Sequence, residues 1–276
     1  MYIVAGPIGN LTDITIRALD VLRTADLIVA EDTRVTRKLL SRYEIRTRVE
    51  SCHQHSRAED IERFLDVLSA GRSIAHITDA GTPCVSDPGD RLIRAALEAG
   101  HTVTPIPGAS AVTTAVSIAA VPGGRFAFDG FPPRGRSDRT EFFRGLRSEH
   151  RAVVLFETAR RLIRTLTELH DSLGSRQVLI GRELTKVHED IFRGNLAEAC
   201  SHYTESPPIG EVTIVLYPNP EKTVDSSAWE IEYAIRTALE AGQRPSDALK
   251  RTMDLTGCSR NAAYRALLVV QGKREG

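Results

Sequence analysis

This chain of 276 residues lacks most of the devices that announce a function at once. Its four cysteines, Cys52, Cys84, Cys200 and Cys258, are scattered with no C-x-x-C pair, which argues against a zinc site and a disulfide framework and fits a reducing cytoplasm. Lys plus Arg and Asp plus Glu both number 36, so any surface for an anionic polymer must be local. No apolar run approaches the ~18 residues of a membrane span. Met1 leads straight into Tyr2-Ile3-Val4-Ala5 without a basic leader, so a soluble, unexported protein is expected, with no membrane partner. G-x-G-x-x-G and G-x-x-x-x-G-K-[ST] are both missing, which withdraws support from nicotinamide chemistry and from nucleotide hydrolysis.

What the chain does have is an alternation of short β-branched runs with helical periodicity. Strands are expected at 2–5, 27–30, 49–52, 73–77 and 102–106, with helices between them such as 13–22 and 58–70. That alternation is the pattern of a parallel α/β sheet. After a helix near 109–120, strands at 126–130, 152–157, 177–183, 190–193 and 211–217 follow one another more directly, and 187–194 leaves no room for a full helix. A mixed sheet with hairpins is expected there. Pro218-Asn219-Pro220 reads as a linker, and three short helices follow at 229–241, 246–255 and 259–271. The expected domains are therefore 1–110 and 111–218, both α/β, and a helical 219–276.

Chemistry concentrates at strand ends. The longest such loop, 77–89, carries D-A-G-T-P (Asp79-Pro83) and S-D-P-G (Ser86-Gly89), more turn residues than the two to six a βα connection needs. Asp87 reads as the N-cap of the next helix and Pro88 as its preset first turn. Ala5-Gly6-Pro7-Ile8-Gly9-Asn10 and Pro105-Ile106-Pro107-Gly108-Ala109-Ser110 repeat the design after two other strands, where glycine permits close approach to a ligand. In open parallel sheets, ligands bind at those carboxyl ends. Glu31-Asp32-Thr33-Arg34 closes another strand, with capping of the following helix as the plainer role for Asp32 or Thr33. Arg182-Glu183-Leu184-Thr185-Lys186 and Gly210-Glu211-Val212-Thr213 add charge as cleft lining or as edge protection. Cys52-His53-Gln54-His55 places two histidines on one side of a strand with only Cys52 opposite, and no metal site is assigned.

Two basic stretches stand out. One holds Arg134, Arg136, Arg139, Arg144, Arg147 and Arg151; the other holds Lys250, Arg251, Arg260, Arg265, Lys273 and Arg274. Each reads as a solvated face or as a grip on an anionic polymer.

Taken in order, P-I-G-N-L-T-D-I-T (Pro7-Thr15), E-D-T-R (Glu31-Arg34), T-R-K-L-L (Thr36-Leu40), D-A-G-T-P, S-D-P-G, P-I-P-G (Pro105-Gly108), R-E-L-T-K (Arg182-Lys186) and G-E (Gly210-Glu211) resemble the tetrapyrrole methylase superfamily. Within it they resemble the ribosomal RNA small subunit methyltransferase I group, over residues 2–217. The resemblance implies two α/β domains with S-adenosylmethionine in the cleft between them, a homodimer, and 2′-O-methylation of a cytidine in small-subunit ribosomal RNA. It implies cofactor contacts at Pro7, Asp79, Gly81, Thr82, Val85, Ser86, Ser110, Ala111, Phe156, Leu184 and Thr213. Cys84 stands where the family usually has glycine, Ala109 where it has proline, and Ser56 where it has asparagine; Glu157-Thr158-Ala159-Arg160-Arg161 replaces a usual E-S-P-H-R.

A ribose hydroxyl is a weak nucleophile, so a base and a cation beside it are expected. Glu31, Asp32 or Glu183 would accept the proton, and Lys186 or Arg34 would stabilise the oxygen. The basic stretches would hold phosphates of the RNA or of an assembled small ribosomal subunit, with Phe131, Tyr264 or His55 stacking on bases. Two other readings stay open at this point. One is a tetrapyrrole C-methyltransferase, against which stand E-D-T-R and the basic helical tail; the other is a noncatalytic RNA-binding or assembly protein.

Overall fold

The computed structural model describes residues 1–53, 56–218 and 228–272. The first half builds β1 (Tyr2–Val4), α1 (Ile16–Thr24), β2 (Leu27–Ala30), α2 (Thr33–Arg42), β3 (Val49–Ser51), α3 (Ala58–Ser69), β4 (Ile74–Ile77), α4 (Asp90–Glu98) and β5 (Thr104–Ile106). Its strands form one all-parallel sheet in the order β3-β2-β4-β1-β5. Alternation along β2 sends Ile28 and Ala30 into a core with α1 and α2, and Leu27 and Val29 into another with α3 and α4. With both faces covered, every residue of β2 is buried, as a parallel sheet requires. Gly71 and Gly100, at φ +75° and +79°, follow the last turns of α3 and α4 in the left-handed conformation that ends a helix.

The second half continues with α5 (Ala111–Ala119), β6 (Phe126–Gly130), α6 (Arg136–Gly145), β7 (Ala152–Thr158), α7 (Ala159–Leu173), β8 (Gln177–Arg182), β9 (Asp190–Asn195), α8 (Leu196–Glu205) and β10 (Glu211–Leu216). The sheet order is β6-β7-β10-β8-β9. Only β6 and β7 run parallel, so the sheet is mixed, and β8 and β9 form the expected hairpin. Its two faces bury separate cores. Val212, Ile214 and Leu216 of β10 pack with α6, α7 and α8, while Val215 packs with Val112, Ala115 and Ala119 of α5. On α7, Leu162, Leu166 and Leu169 recur at helical spacing and are fully buried, each worth about 2 kcal/mol in transfer from water.

Contacts group the chain into two compact units, Met1–Arg147 with Arg151–Tyr217, and a smaller one from Pro218 onward that takes in Ser148–His150. In the smaller unit, α9 (Ala228–Glu240), α10 (Pro245–Thr256) and α11 (Arg260–Val270) enclose Ile231, Ile235, Cys258, Ala263 and Leu267. Ser259 caps α11 by accepting from the N–H of Ala262, as its position predicts. No helix among the described residues is long and apolar enough to cross a membrane.

The arginine stretch around residue 139 needs correction as a polyanion grip. Arg139 is only 2% exposed. Its guanidinium donates to Glu168 at 2.7 Å, to Thr165 at 3.0 Å and to the Pro133 carbonyl at 3.1 Å. The Thr165 hydroxyl donates in turn to the buried Glu157 carboxylate at 2.6 Å, and Arg161 donates to the Pro132 carbonyl at 2.8 Å. The cluster anchors the loop that carries Phe131; Arg134, Arg136, Arg144, Arg147 and Arg151 remain on the surface. Arg139→Ala would leave buried acceptors unpaired and is expected to cost about 3 kcal/mol or more. Arg139→Lys, without the planar fork, should restore only part of that, as read by urea denaturation.

Candidate active site

Strand order decides where the loops meet. Because β4, β1 and β5 are neighbours, the three segments leaving their carboxyl ends lie side by side. Backbone bonds join them: Gly6 N–H donates to Gly81 at 2.8 Å, Gly81 N–H donates to Pro7 at 3.2 Å, and Ala5 N–H donates to Ile106 at 3.1 Å. The Thr82 hydroxyl donates to the Ala109 carbonyl at 3.4 Å. The second sheet supplies the facing wall. The β10 pleat that buries Val212 and Ile214 turns Thr213 the other way, and its register partners are Phe156 on β7 and Gly181 on β8. Gly181 leaves room for Leu184 to fold over the strand end, since a Cβ there would sit 2.9 Å from Leu184.

These pieces surround a pocket of about 870 Å³, counted out into its open mouth. Of the eleven candidate cofactor positions, nine line it: Gly81, Thr82, Val85, Ser86, Ser110, Ala111, Phe156, Leu184 and Thr213. Pro7 and Asp79 line an adjoining pocket of about 780 Å³ instead, and Ile8, Ala80, Lys186 and Glu211 border both. Phe131, read from sequence as an RNA-stacking residue, also lines the first pocket, with its ring centroid 5.7 Å from that of Phe156. Tyr264 is exposed on α11, while His55, Lys273 and Arg274 lie outside the described residues.

Asp87 is a correction. It does not cap α4: the helix begins at Asp90, and its N-cap is Gly89 at φ +129°. Gly89 at that φ lies outside the helical region, and a side chain there would collide with the buried His76 ring beneath. The turn therefore delays the helix and points Asp87 into the pocket wall. Four non-glycine residues with positive φ also sit here: Cys84 at 67°, Ser86 at 63°, Glu183 at 50° and Thr185 at 67°. The left-handed backbone at Cys84 is the conformation that glycine adopts at no cost, and strain of this kind concentrates where a ligand loop is over-determined.

The catalytic candidates separate by what already holds them. Asp32 caps α2 through the Arg34 N–H at 2.8 Å and pairs with the Arg34 guanidinium at 2.6 Å. Those contacts hold its carboxyl down to about 2, and they occupy Arg34 in turn. Neither residue lines either pocket. Glu183 accepts from Lys186 at 2.9 Å and from the Glu211 N–H at 2.9 Å; these outweigh its burial and keep it ionised. Lys186 also reaches Glu211 at 2.8 Å, and these hydrogen bonds overcome desolvation and hold its ammonium up. Gly9 and Gly210 make this clamp possible, because a Cβ on either would strike Lys186 or Glu183.

Three other carboxyls are pushed up. Burial first, then the Asp79 charge, raises Glu31; burial, with Asp32 beside it, raises Asp79. Asp87 is pushed furthest, to about 7, by burial and then by Glu31, with Asp79 and Glu211 adding to it and the Thr78 hydroxyl opposing. Sequence reasoning found the loop but missed Ile8, Asp87, Glu157 and Gly181 as lining residues; the only signal for Gly181 was a glycine at a strand end. The Cys52 thiol is raised by burial, and Cys52 and His53 line neither pocket.

A family profile described as tetrapyrrole (corrin/porphyrin) methylases matches residues 1–200. A protein of Thermotoga maritima named ribosomal RNA small subunit methyltransferase I is 44% identical over 216 residues, covering 78% of this chain and 97% of that one. A Synechocystis protein of the same name is 39% identical over 273 residues, 98% of each chain. Among solved structures, a cobalamin biosynthetic enzyme, cobalt precorrin-4 methyltransferase, is similar with a TM-score of 0.60 at 18% identity, over 78% of this chain and 93% of that one. At that identity the likeness speaks for the fold alone.

The raised Asp87 carboxyl has a stability consequence. The unfolded chain ionises Asp87 near pH 4, whereas the folded chain holds its proton to about 7, so folding loses stability across that interval as pH rises. Asp87→Asn abolishes this term. Its melting temperature relative to wild type should climb between pH 4 and 7 and stay level above, which a thermal melt series resolves.

Proposed function

The chain belongs to the tetrapyrrole (corrin/porphyrin) methylase family, and on that footing we propose that it transfers a methyl group from S-adenosylmethionine to the 2′-oxygen of a cytidine in small-subunit ribosomal RNA. The observation that supports ribosomal RNA as the acceptor is the Synechocystis match over 98% of both chains, which extends through the helical tail. We also propose that it works as a homodimer in the cytoplasm.

The pocket suits the cofactor. α5 starts at Ala111 with Ser110 as an N-cap whose side chain makes no capping bond, so the N–H groups of its first turn are available to a carboxylate at the pocket wall. Val85, Phe156 and Leu184 offer apolar surface, and Asp87 offers a carboxylate to a sulfonium cation. When bound, S-adenosylmethionine supplies an electrophilic methyl group on positively charged sulfur. The residues around it orient, withdraw a proton and stabilise charge.

Asp32 and Glu183 are engaged by Arg34 and by Lys186, and Glu31 lines neither pocket, so proton acceptance falls to Asp87, which lines the first pocket and titrates near neutrality. A cation beside it favours the ionised form, in which it takes the hydroxyl proton. Lys186, held at the border of both pockets by Glu183 and Glu211, faces the place where the oxygen gains charge. The exposed Lys250, Arg251, Arg260 and Arg265 supply phosphate contacts that position without reading sequence.

Tritium from labelled S-adenosylmethionine should enter small subunits purified from a strain lacking this activity and appear in a 2′-O-methylated nucleoside after digestion. Label in a tetrapyrrole, or none in RNA with the cofactor still bound, refutes the reading. Lys186→Ala should lower kcat by about 10²-fold, the scale of a single charge-stabilising or proton-transfer group. Cofactor affinity should rise with pH up to about 7 and level off above it, because a bound cation favours ionised Asp87. Calorimetry with Asp87→Asn should show a flat profile.

A further inference from the structure

The adjoining pocket has no part in the reaction as derived so far. Its walls include Leu11, Val35 and Leu39, and its polar groups include Asp79 and Thr36. Thr36 is 3% exposed, yet its hydroxyl has no hydrogen-bond partner among the described residues. A buried hydroxyl left so costs ~1–3 kcal/mol, and a group kept at that cost calls for an explanation. Asp79 is half-committed: Oδ1 accepts the Asp32 N–H at 3.0 Å, and Oδ2 has no hydrogen bond among the described residues. Val35, lining the same space, keeps 37% of its surface exposed.

Resting on ribosomal RNA methylation as the function, we infer that this second pocket receives the base of the target nucleoside, turned out of the RNA, and that Asp79 and Thr36 read its edge. A splayed base needs apolar surface against its faces and a few polar groups at its rim. Leu11, Val35 and Leu39 provide the first. Asp79 accepts from an amine or ring N–H, as carboxylates do from the amine of cytosine, and the Thr36 hydroxyl completes the edge. A base seated there places its ribose at the border shared with the first pocket, beside Lys186 and Glu211. Asp79 thereby moves from the cofactor contacts implied by resemblance to recognition of the acceptor. A macrocycle rimmed with carboxylates would instead set like charge against Asp79.

The test uses the full chain, labelled S-adenosylmethionine and small ribosomal subunits lacking the modification. Thr36→Val exchanges the hydroxyl for a methyl group of similar size. We expect a melting temperature equal to or above wild type, cofactor Kd within twofold, and acceptor KM raised about fivefold, the loss of one neutral hydrogen bond. A purely structural hydroxyl would lower the melting temperature and leave KM alone. Val35→Trp fills the slot and should raise acceptor KM more than tenfold with cofactor Kd again within twofold. Cofactor affinity falling in step with KM assigns the pocket to the cofactor and overturns the inference, as does an unchanged KM in Val35→Trp. Wild-type protein that labels no RNA defeats the underlying function, whereas wild type that labels RNA beside an unimpaired Val35→Trp defeats the pocket alone.

Discussion

The pleat of β10 constrains the molecule at its centre. Successive residues of a strand must face opposite ways, so burying Val212, Ile214 and Leu216 against α6, α7 and α8 obliges Thr213 to face the other side. There it meets Phe156 and Gly181 in register and forms part of the ligand wall. A slip of one residue would exchange the two sets and put a hydroxyl in the core and a valine at the site. Three dry, apolar residues, Val212, Ile214 and Leu216, therefore fix the direction of one hydroxyl.

Against that rigid wall stands a loop system held under electrostatic and conformational stress. Glu31, Asp79 and Asp87 share a partly desolvated space, and each is pushed toward its protonated form. Lys186 relieves the crowding on one side by binding Glu183 and Glu211. Cys84, Ser86, Glu183 and Thr185 adopt left-handed backbone that their side chains disfavour. The buried leucines, isoleucines and valines of both sheets stabilise the unit enough to carry such a site, and the clustering of strain and raised carboxyls in one cleft is the usual arrangement of a site built for chemistry.

Most of the architecture was legible because it follows from local rules. The β-branched runs and capping glycines located the strands and the ends of α3 and α4, and the absence of a helix between β8 and β9 signalled the hairpin and the mixed sheet. The motif loops marked the cleft. What was not legible depends on residues far apart in sequence. Nothing local says that Arg139, in a stretch of arginines, is the one drawn inward by Glu168 and Thr165. Asp87 followed by Pro88 satisfies the rule for a helix start, yet Gly89 adopts φ +129°, outside the helical region, against His76 of β4 where a Cβ would not fit, and the helix waits until Asp90. Likewise, the two roles of the D-A-G-T-P loop, with Asp79 on one pocket and Gly81 on the other, required the strand order.

Ile8 and Ala80 form a partition with a chamber on either side, and the reciprocal backbone bonds of Gly6 and Pro7 with Gly81 make the partition one body. A shared partition of this kind is a thermodynamic linkage. Any displacement that one occupant favours changes the room left for the other, and the factor by which the first alters the affinity of the second equals the factor by which the second alters the first. Order of arrival then becomes a kinetic matter, while the mutual preference of two occupants passes through a border to which Ile8, Ala80, Lys186 and Glu211 all belong.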